Sequence, residues 1–364
     1  MEKDLGYRKV QSVGRGSHII SLPKEWIEQI GIKKGSEIAF KVQEDSSLLL
    51  IPRKMMEGTK GDEKANLKEY LIHVGPEDDI QSLCRKITSL YVISADLIRI
   101  HFKDGENASK FKTTINNLAK NLLLGSEIID ETINEITLQI LIKHPDFPVE
   151  KAIRRMAILA LSANKDAVSA MKNTDPAIFQ GVIAACDDVD RLNLYAIRQL
   201  KFGLEQNQHK ELGFKSPKEF LGYRIVANDI KGIADNARNI VSNVTAFKKM
   251  VEDQILFLKE PVDDEVYSQI LNLNSSAHQL FEESLKSLFK RDYEDADEIM
   301  SRLESFAALE NDLVAVMSNK KLDPNVSSTF RLILDNSRRI IESSRNIAEV
   351  TLNRTIEEIT APNF

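Results

Sequence analysis

Cysteine is scarce: Cys84 and Cys186 are the two thiols in 364 residues, and neither sits in a CxxC or a Cys/His cluster. That excludes a disulfide scaffold and a zinc-ribbon core, fits a reducing cytosol, and leaves both as plain buried thiols. Aromatic residues make up only 6% and prolines number ten, which argues against a β-sandwich or a proline-rich linker protein and favours helix. Long hydrophobic runs are missing too, none approaching the roughly 20 residues of a membrane span. Met1-Glu2-Lys3-Asp4 opens no signal core and Glu2 excludes a myristoylation start, so the expectation is a cytoplasmic chain without membrane insertion. There is no excess of positive charge either. Forty-nine Lys and Arg against 55 Asp and Glu leave a net −6, so any site for a polyanion must be a local patch. The six histidines, His18, His73, His101, His144, His209 and His278, are scattered and none repeats. No Ser/His/Asp or Cys/His arrangement can be assembled from them, and they read as surface or packing residues of a non-enzyme.

What is present falls into three stretches. Residues 1–54 alternate in short segments: Arg8 to Val13, His18 to Leu22, a short helix from Glu25 to Ile30, then Glu37 to Val42 facing Leu48 to Ile51 across a Glu44-Asp45-Ser46-Ser47 turn. This β-rich module holds ten basic side chains against seven acidic, a net of +3, so the remainder carries −9. Met55 to Asn66 has linker chemistry. From Leu67 to His144 the pattern is strand (Glu69 to Val74), helix (Ile80 to Leu90), strand (Leu97 to Phe102), helix (Lys110 to Leu122) and two strands (Glu127 to Asp130, Ile136 to Leu141), a small α+β unit without a motif.

Beyond His144-Pro145-Asp146-Phe147-Pro148 the period is helical to Glu358. Asp175-Pro176, Ser216-Pro217 and Asp323-Pro324 each place a capping residue before a proline, Glu219 completes a capping box with Ser216, and Glu260-Pro261 breaks the array in the middle. The two halves resemble each other: Ala237-Arg238-Asn239-Ile240 aligns with Ser344-Arg345-Asn346-Ile347, and Met171 to Asp175 with Leu288 to Asp292. Short connections make each half an antiparallel three-helix unit.

A polar seam borders this helical core. Along the second helix Phe179, Val182, Ile183, Cys186, Val189, Asn193, Ala196, Ile197 and Leu200 trace one face, which Asp190 joins and Asp187 flanks. On the third, Asn228, Gly232, Asp235, Asn239 and Asn243 recur beside Ile225, Ile233, Ile240, Val244 and Phe247. The counterpart in the second half is Asp335, Arg339, Glu342 and Asn346, where Arg339 is placed to neutralise both acids. Carboxylates between helices demand partners. One reading is an oxygen-rich site for a divalent or ferric ion built from Asp187, Asp190, Asp229 and Asp235; the other, preferred here, is a hydrogen-bonded register device or solvated groove. A metal enzyme of the carboxylate-bundle type is the remotest reading, since its Glu-x-x-His pairs are missing. In the first module, Gly14-Arg15-Gly16 lacks the Gly-Lys-Ser/Thr of a phosphate loop, whereas Arg8, Lys9, Arg15 and Lys24 form a basic set able to face DNA phosphates.

Two resemblances meet at these residues. Arg8 to Gln11, Gly14 to Ser17, Leu22-Pro23-Lys24-Glu25-Trp26 and Gly31-Ile32-Lys33-Lys34-Gly35 resemble an AbrB/SpoVT-type swapped-hairpin domain, which implies that two chains interlace as a homodimer and present basic residues to DNA. Val149 to Glu358 resembles PhoU, a regulator of phosphate uptake built from two three-helix repeats. That family's metal motifs are Glu/Asp-x-x-x-Asp on the second and third helices. Cys186 to Asp190, Lys231 to Asp235 and Arg338 to Glu342 each keep only the last acid, and Leu303 to Ala307 keeps neither, so a bound metal ion is not favoured. The resemblances imply a mainly α fold: two tandem three-helix PhoU-like bundles (149–260 and 261–358) behind a β-rich swapped-hairpin domain (1–54) and an α+β domain (67–144). They imply a regulator of phosphate uptake and homeostasis that binds DNA through its N-terminal domain, or one that acts only through protein partners. A phosphate transporter's ATPase or a sensor kinase is the implied partner.

Overall fold

In a computed structural model, residues 6–14, 16–42, 47–53, 67–103, 108–142, 147–172, 175–205, 208–252, 264–320 and 322–360 are described. Arg15, the Glu44 to Ser46 part of the second hairpin turn, the Met55–Asn66 linker, His144 to Asp146 and the Glu260-Pro261 break lie outside them. The chain divides into two compact units, Met1–Leu67 and Lys68–Phe364.

In the first unit β1 (Gln11–Val13) pairs antiparallel with β2 (Ser17–Ile19), and β3 (Ile38–Val42) with β4 (Leu48–Pro52), as two separate two-stranded sheets. Between them α1 (Lys24–Ile30) follows Pro23 and ends at Gly31, whose φ of 69° is the left-handed cap that glycine takes without a Cβ penalty.

The second unit opens with β5 (Glu69–Val74), α2 (Ile80–Val92), β6 (Leu97–Phe102), α3 (Ala108–Asn121), β7 (Ser126–Glu131) and β8 (Glu135–Ile140). Strand order is β5-β6-β8-β7, with β5 and β6 parallel and the rest antiparallel. Period-two residues Ile72 and Val74, Ile98 and Ile100, and Ile136 and Leu138 pack against Leu83, Ile87 and Ile115 of the two helices. Six longer helices follow: α4 (Val149–Ser169), α5 (Pro176–Glu205), α6 (Glu219–Glu252), α7 (Asp264–Lys290), α8 (Tyr293–Asn319) and α9 (Pro324–Ile359). They form two three-helix repeats, as the sequence leads one to expect, and share one continuous apolar core. Among the described residues no helix is long and apolar enough to cross a membrane.

Arg198 of α5 joins the α+β layer to the helices. Its guanidinium is buried, and Nη1 donates to the Tyr91 and Ala95 carbonyls at 2.7 and 2.9 Å, capping the end of α2. The turn it enters holds Ser94 at φ 66°, a strained backbone fixed from outside by the Ser94 Oγ bond to the Arg198 carbonyl.

The two repeats are tied by one buried carboxylate. Glu219, at the start of α6, does reach back to a backbone N–H, but to that of Lys215 (2.9 Å) rather than Ser216 as a standard capping box requires. Its oxygens are taken mainly by two arginines. Arg291, in the α7–α8 turn at φ 59°, binds both oxygens at 3.0 and 3.2 Å, and Arg354 of α9 donates through Nε. Arg354 also donates to the Tyr223 hydroxyl and the Leu288 carbonyl, each at 3.0 Å. The Glu219 side chain is 6% exposed and that of Arg354 7%. Burial alone would raise the Glu219 pKa, but hydrogen bonds and charge from Arg291 and Arg354 hold it below its ordinary value. Close by, a Cβ on Gly222 would stand 2.5 Å from Val350, so the close crossing of α6 and α9 requires glycine there. Glu219→Ala leaves the buried Arg354 without an anion and Arg291 with Glu358 alone, and is expected to destabilise the folded chain by about 3–5 kcal/mol. Urea unfolding at pH 7 measures this. Because the folded pKa is depressed, the wild-type advantage is present above about pH 4.5 and fades as acid protonates Glu219.

Candidate functional site

The expected apolar face of α5 is real: Val182, Cys186, Val189, Asn193, Ala196, Ile197 and Leu200 are buried. Cys186 donates to the Ala234 carbonyl at 3.1 Å, and burial pushes its thiol up to about 11, so it is inert at neutral pH. Cys84 differs from expectation in being only half-buried. On α6 Ile233, Ile240 and Val244 are core residues, but Ile225 is 45% exposed because it falls on the outer rim of the helix. The side chain of Phe247 is outside the described residues.

Of the four acids singled out in sequence, the fold brings three together. Asp187 and Asp190 of α5 face Asp235 of α6 across two cations of α6 itself. Lys231 Nζ lies 3.1 Å from Asp190 and 2.6 Å from Asp235; Arg238 reaches Asp187 at 2.9 Å, Asp190 at 3.1 Å and Asp235 at 3.4 Å. Lys231 and Arg238 sit four before and three after Asp235, so one helical face carries acid and counter-charge together. Burial opposes both charges, yet the hydrogen bonds that Lys231 donates to Asp235 and Asp190, and Arg238 to Asp190, raise both pKa values. This donor set does not fit a metal ion: the positions where the resemblance calls for first acids hold Cys186 and Lys231, and the carboxylates are already engaged by ammonium and guanidinium. Among the described residues no group of three or more His, Cys, Asp or Glu is disposed to hold one.

Asp229 is elsewhere. It turns toward α9, where Asn346 Nδ2 donates to it at 3.2 Å, and burial pushes its carboxyl up to about 6, the Asn346 bond only partly opposing the shift. In the second repeat Asp335 binds Arg338 (2.7 Å) and Arg339 (2.9 Å), while Glu342 pairs with Arg338 at 3.7 Å. Arg338, one residue before the arginine expected to bridge both acids, therefore takes that role.

Sequence reading missed a network in the core between the repeats. Asn164 of α4 donates to Asn336 of α9; its own Oδ1 accepts from Asn274 Nδ2 (3.1 Å) and His278 Nε2 (2.7 Å) of α7, and Asn274 also donates to Ser337 Oγ at 3.0 Å. The available signal was an amide at a core position in Ala160-Leu161-Ser162-Ala163-Asn164 and again in Leu273-Asn274.

In the first unit the basic candidates Arg8, Lys9 and Lys24 are all exposed. Arg8 donates to the Tyr7 carbonyl at 2.9 Å, and Lys24 is 3.7 Å from Glu28, a solvated pair of little energetic consequence.

Comparison with known families adds two matches. Residues 153–244, which span α4 to most of α6, match the model described as PhoU domain. Residues 11–57 match the one described as antidote-toxin recognition MazE, bacterial antitoxin. The chain carries a PhoU domain behind a MazE/AbrB-like domain. No curated protein matches it at a meaningful level. A PhoU domain points to regulation of phosphate homeostasis, the N-terminal domain fits DNA binding or an antitoxin role, and both families are regulatory rather than enzymatic.

Asp229 supplies a pH test of this PhoU interior. Its pKa is raised from 3.8 to about 6 on folding, so its favourable share is complete below 3.8 and is lost as pH rises through 6. Asp229→Asn keeps an acceptor for Asn346 and is expected to stabilise the protein at pH 8 by on the order of 1 kcal/mol after solvent screening. Melting curves across pH check it: the gain shrinks on acidification and is gone near pH 3.8.

Proposed function

We propose that this chain is a regulator of phosphate uptake and homeostasis whose N-terminal domain pairs with that of a second copy and, once paired, holds DNA. The helical part is the arm that receives the cue, from a phosphate transporter's ATPase or a sensor kinase, and alters how the paired domains are held.

The observation that carries the reading is the bareness of the first unit. Among its described residues only Pro52 is buried. Val10, Val13, Ile19, Ile20, Phe40, Val42, Leu48 and Leu49 expose between 44% and 76% of their surface. Two isolated hairpins with apolar faces in water cannot offset the entropy of ordering them, and a twin supplies the missing face of the core. Pairing also doubles the exposed basic side chains Arg8, Lys9 and Lys24 on one small body, giving a local cationic patch in a chain of net −6.

Light scattering on the full chain and gel-shift titration with promoter DNA over a salt series test the proposal. The full chain is expected to run as a dimer or a multiple of one, with DNA affinity that falls as salt rises. Phe40→Asp is expected to give monomers that no longer hold DNA. Arg8→Glu with Lys9→Glu removes four cations from the dimer and is expected to keep the dimer but lower the salt slope by about 4. A monomeric wild type overturns the pairing, and affinity that ignores salt overturns the DNA arm. A dimer without DNA affinity leaves the protein-partner route as the sole mode of action.

A further inference from the structure

The first helices of the two repeats, α4 and α7, run antiparallel and are closed against each other at both ends. At one end Lys172 pairs with Asp264 and lies 4.4 Å over the Tyr267 ring, while the Tyr267 hydroxyl donates to the Val168 carbonyl at 3.4 Å. At the other end the Arg154 guanidinium sits 3.7 Å over Phe289. Between these closures lies a trough of about 910 Å³. On α4 it runs from Arg154 to Val168, a length of about 21 Å at helical rise.

Its floor is uncharged, formed by the buried Ala157, Leu161, Val168 and Leu285 together with Asn274 and His278. Asn274 and the buried Asn164 and Asn336 link the two repeats, and His278 donates from Nε2 to Asn164, which leaves the Nδ1 lone pair as an acceptor. Burial, reinforced by nearby Lys165, pushes the His278 pKa down to about 4, so the imidazole is uncharged at neutral pH. The rims are apolar: Ile158 is 61% and Leu271 37% exposed, one on each helix. The ends are cationic. Lys165 lies toward one closure and Lys286 toward the other, beside Arg154, and Glu282 is the one acid among the lining residues. Arg154 is paired with Glu150, but among the described residues neither Lys165 nor Lys286 has an ion-pair partner.

We propose that this trough docks an acidic amphipathic helix of a partner protein, about 14 residues long, with carboxylates near both ends and apolar residues at i, i+3/i+4 and i+7 between them. A straight groove between two antiparallel helices is the shape into which a third helix packs, at about 8–10 Å from each axis. Charge selects the occupant. Lys165 and Arg154 are eleven residues apart, about 16 Å, so a compact anion reaches one end only, whereas a three-turn helix reaches both. The apolar rims favour a helix with an apolar stripe over a bare polyanion.

The test uses the full chain and a fluorescein-labelled helical peptide of about 16 residues, built from Ala with a Leu stripe and Glu in the first and last turns, and a twin with Lys in place of Glu. Fluorescence anisotropy is expected to show binding of the Glu peptide in preference to the Lys twin. In Lys165→Glu with Lys286→Glu, two exposed changes whose folding is checked by melting temperature, Glu-peptide affinity is expected to fall at least about tenfold and the preference to pass to the Lys twin. Ile158→Asp, with the end charges intact, is expected to weaken binding of both peptides. Failure of wild type to bind the Glu peptide, equal binding of the two peptides, or an unchanged preference in the charge-reversed variant overturns the proposal. ATP that displaces the peptide stoichiometrically also overturns it, and assigns the trough to a small organic anion.

Discussion

The helical body hangs on a single carboxylate. Glu219 belongs to the first repeat, yet its two oxygens are held by Arg291 from the turn between the first two helices of the second repeat and by Arg354 from its last helix. A buried ion cluster of this kind adds little net stability over a well-packed apolar substitute, but removing Glu219 is severe, because the buried Arg354 then has neither an anion nor solvent to turn to. Its work is geometric. It fixes where α6 begins relative to the end of α9, and the contact of Gly222 with Val350 and the bond from Asn346 to Asp229 follow along the same crossing.

Elsewhere the acidic chain neutralises itself locally. Asp187, Asp190 and Asp235 are bound by Lys231 and Arg238 of the neighbouring helix face, and Asp335 and Glu342 by Arg338 and Arg339. Internal cations of this sort need no bound ion to hold two helices together. Among the described residues, Asp229, which meets only an amide, and the two lysines at the ends of the α4–α7 trough depart from that pattern.

The N-terminal unit obeys a different economy. At about fifty residues in two hairpins and one short helix it is below the size at which a lone hydrophobic core is self-sufficient. Its apolar residues stay in water in the single chain. In the proposed function, association with a twin is a condition of its folding rather than an addition to it.

Period and punctuation in the sequence were enough for the architecture. The 3.6-residue stripes of the C-terminal two-thirds, the capped prolines at Asp175-Pro176 and Asp323-Pro324, and the alternation in β5, β6 and β8 are local signals, so the elements of the α+β unit were legible within a residue or two, whereas the short strands β1 and β2 of the first unit were off by three at one end. The apolar face of α5 was legible for the same reason. Side-chain partnership across the chain was not. Sequence grouped Asp229 with Asp187, Asp190 and Asp235, because helical spacing cannot say that one of the four turns toward a helix more than a hundred residues away. It credited Arg339 with a bridge that Arg338 makes, and read Glu219 as a cap when its principal partners lie 72 and 135 residues on. The Asn164–Asn274–His278 network and the trough above it exist only because two repeats meet. The sequence by itself thus determined which segments are helices and strands and which face of each is apolar, since short-range sterics and hydrophobic period decide those. Tertiary structure alone decided which charges neutralise each other and which are left free, because that depends on contacts between residues far apart in the chain.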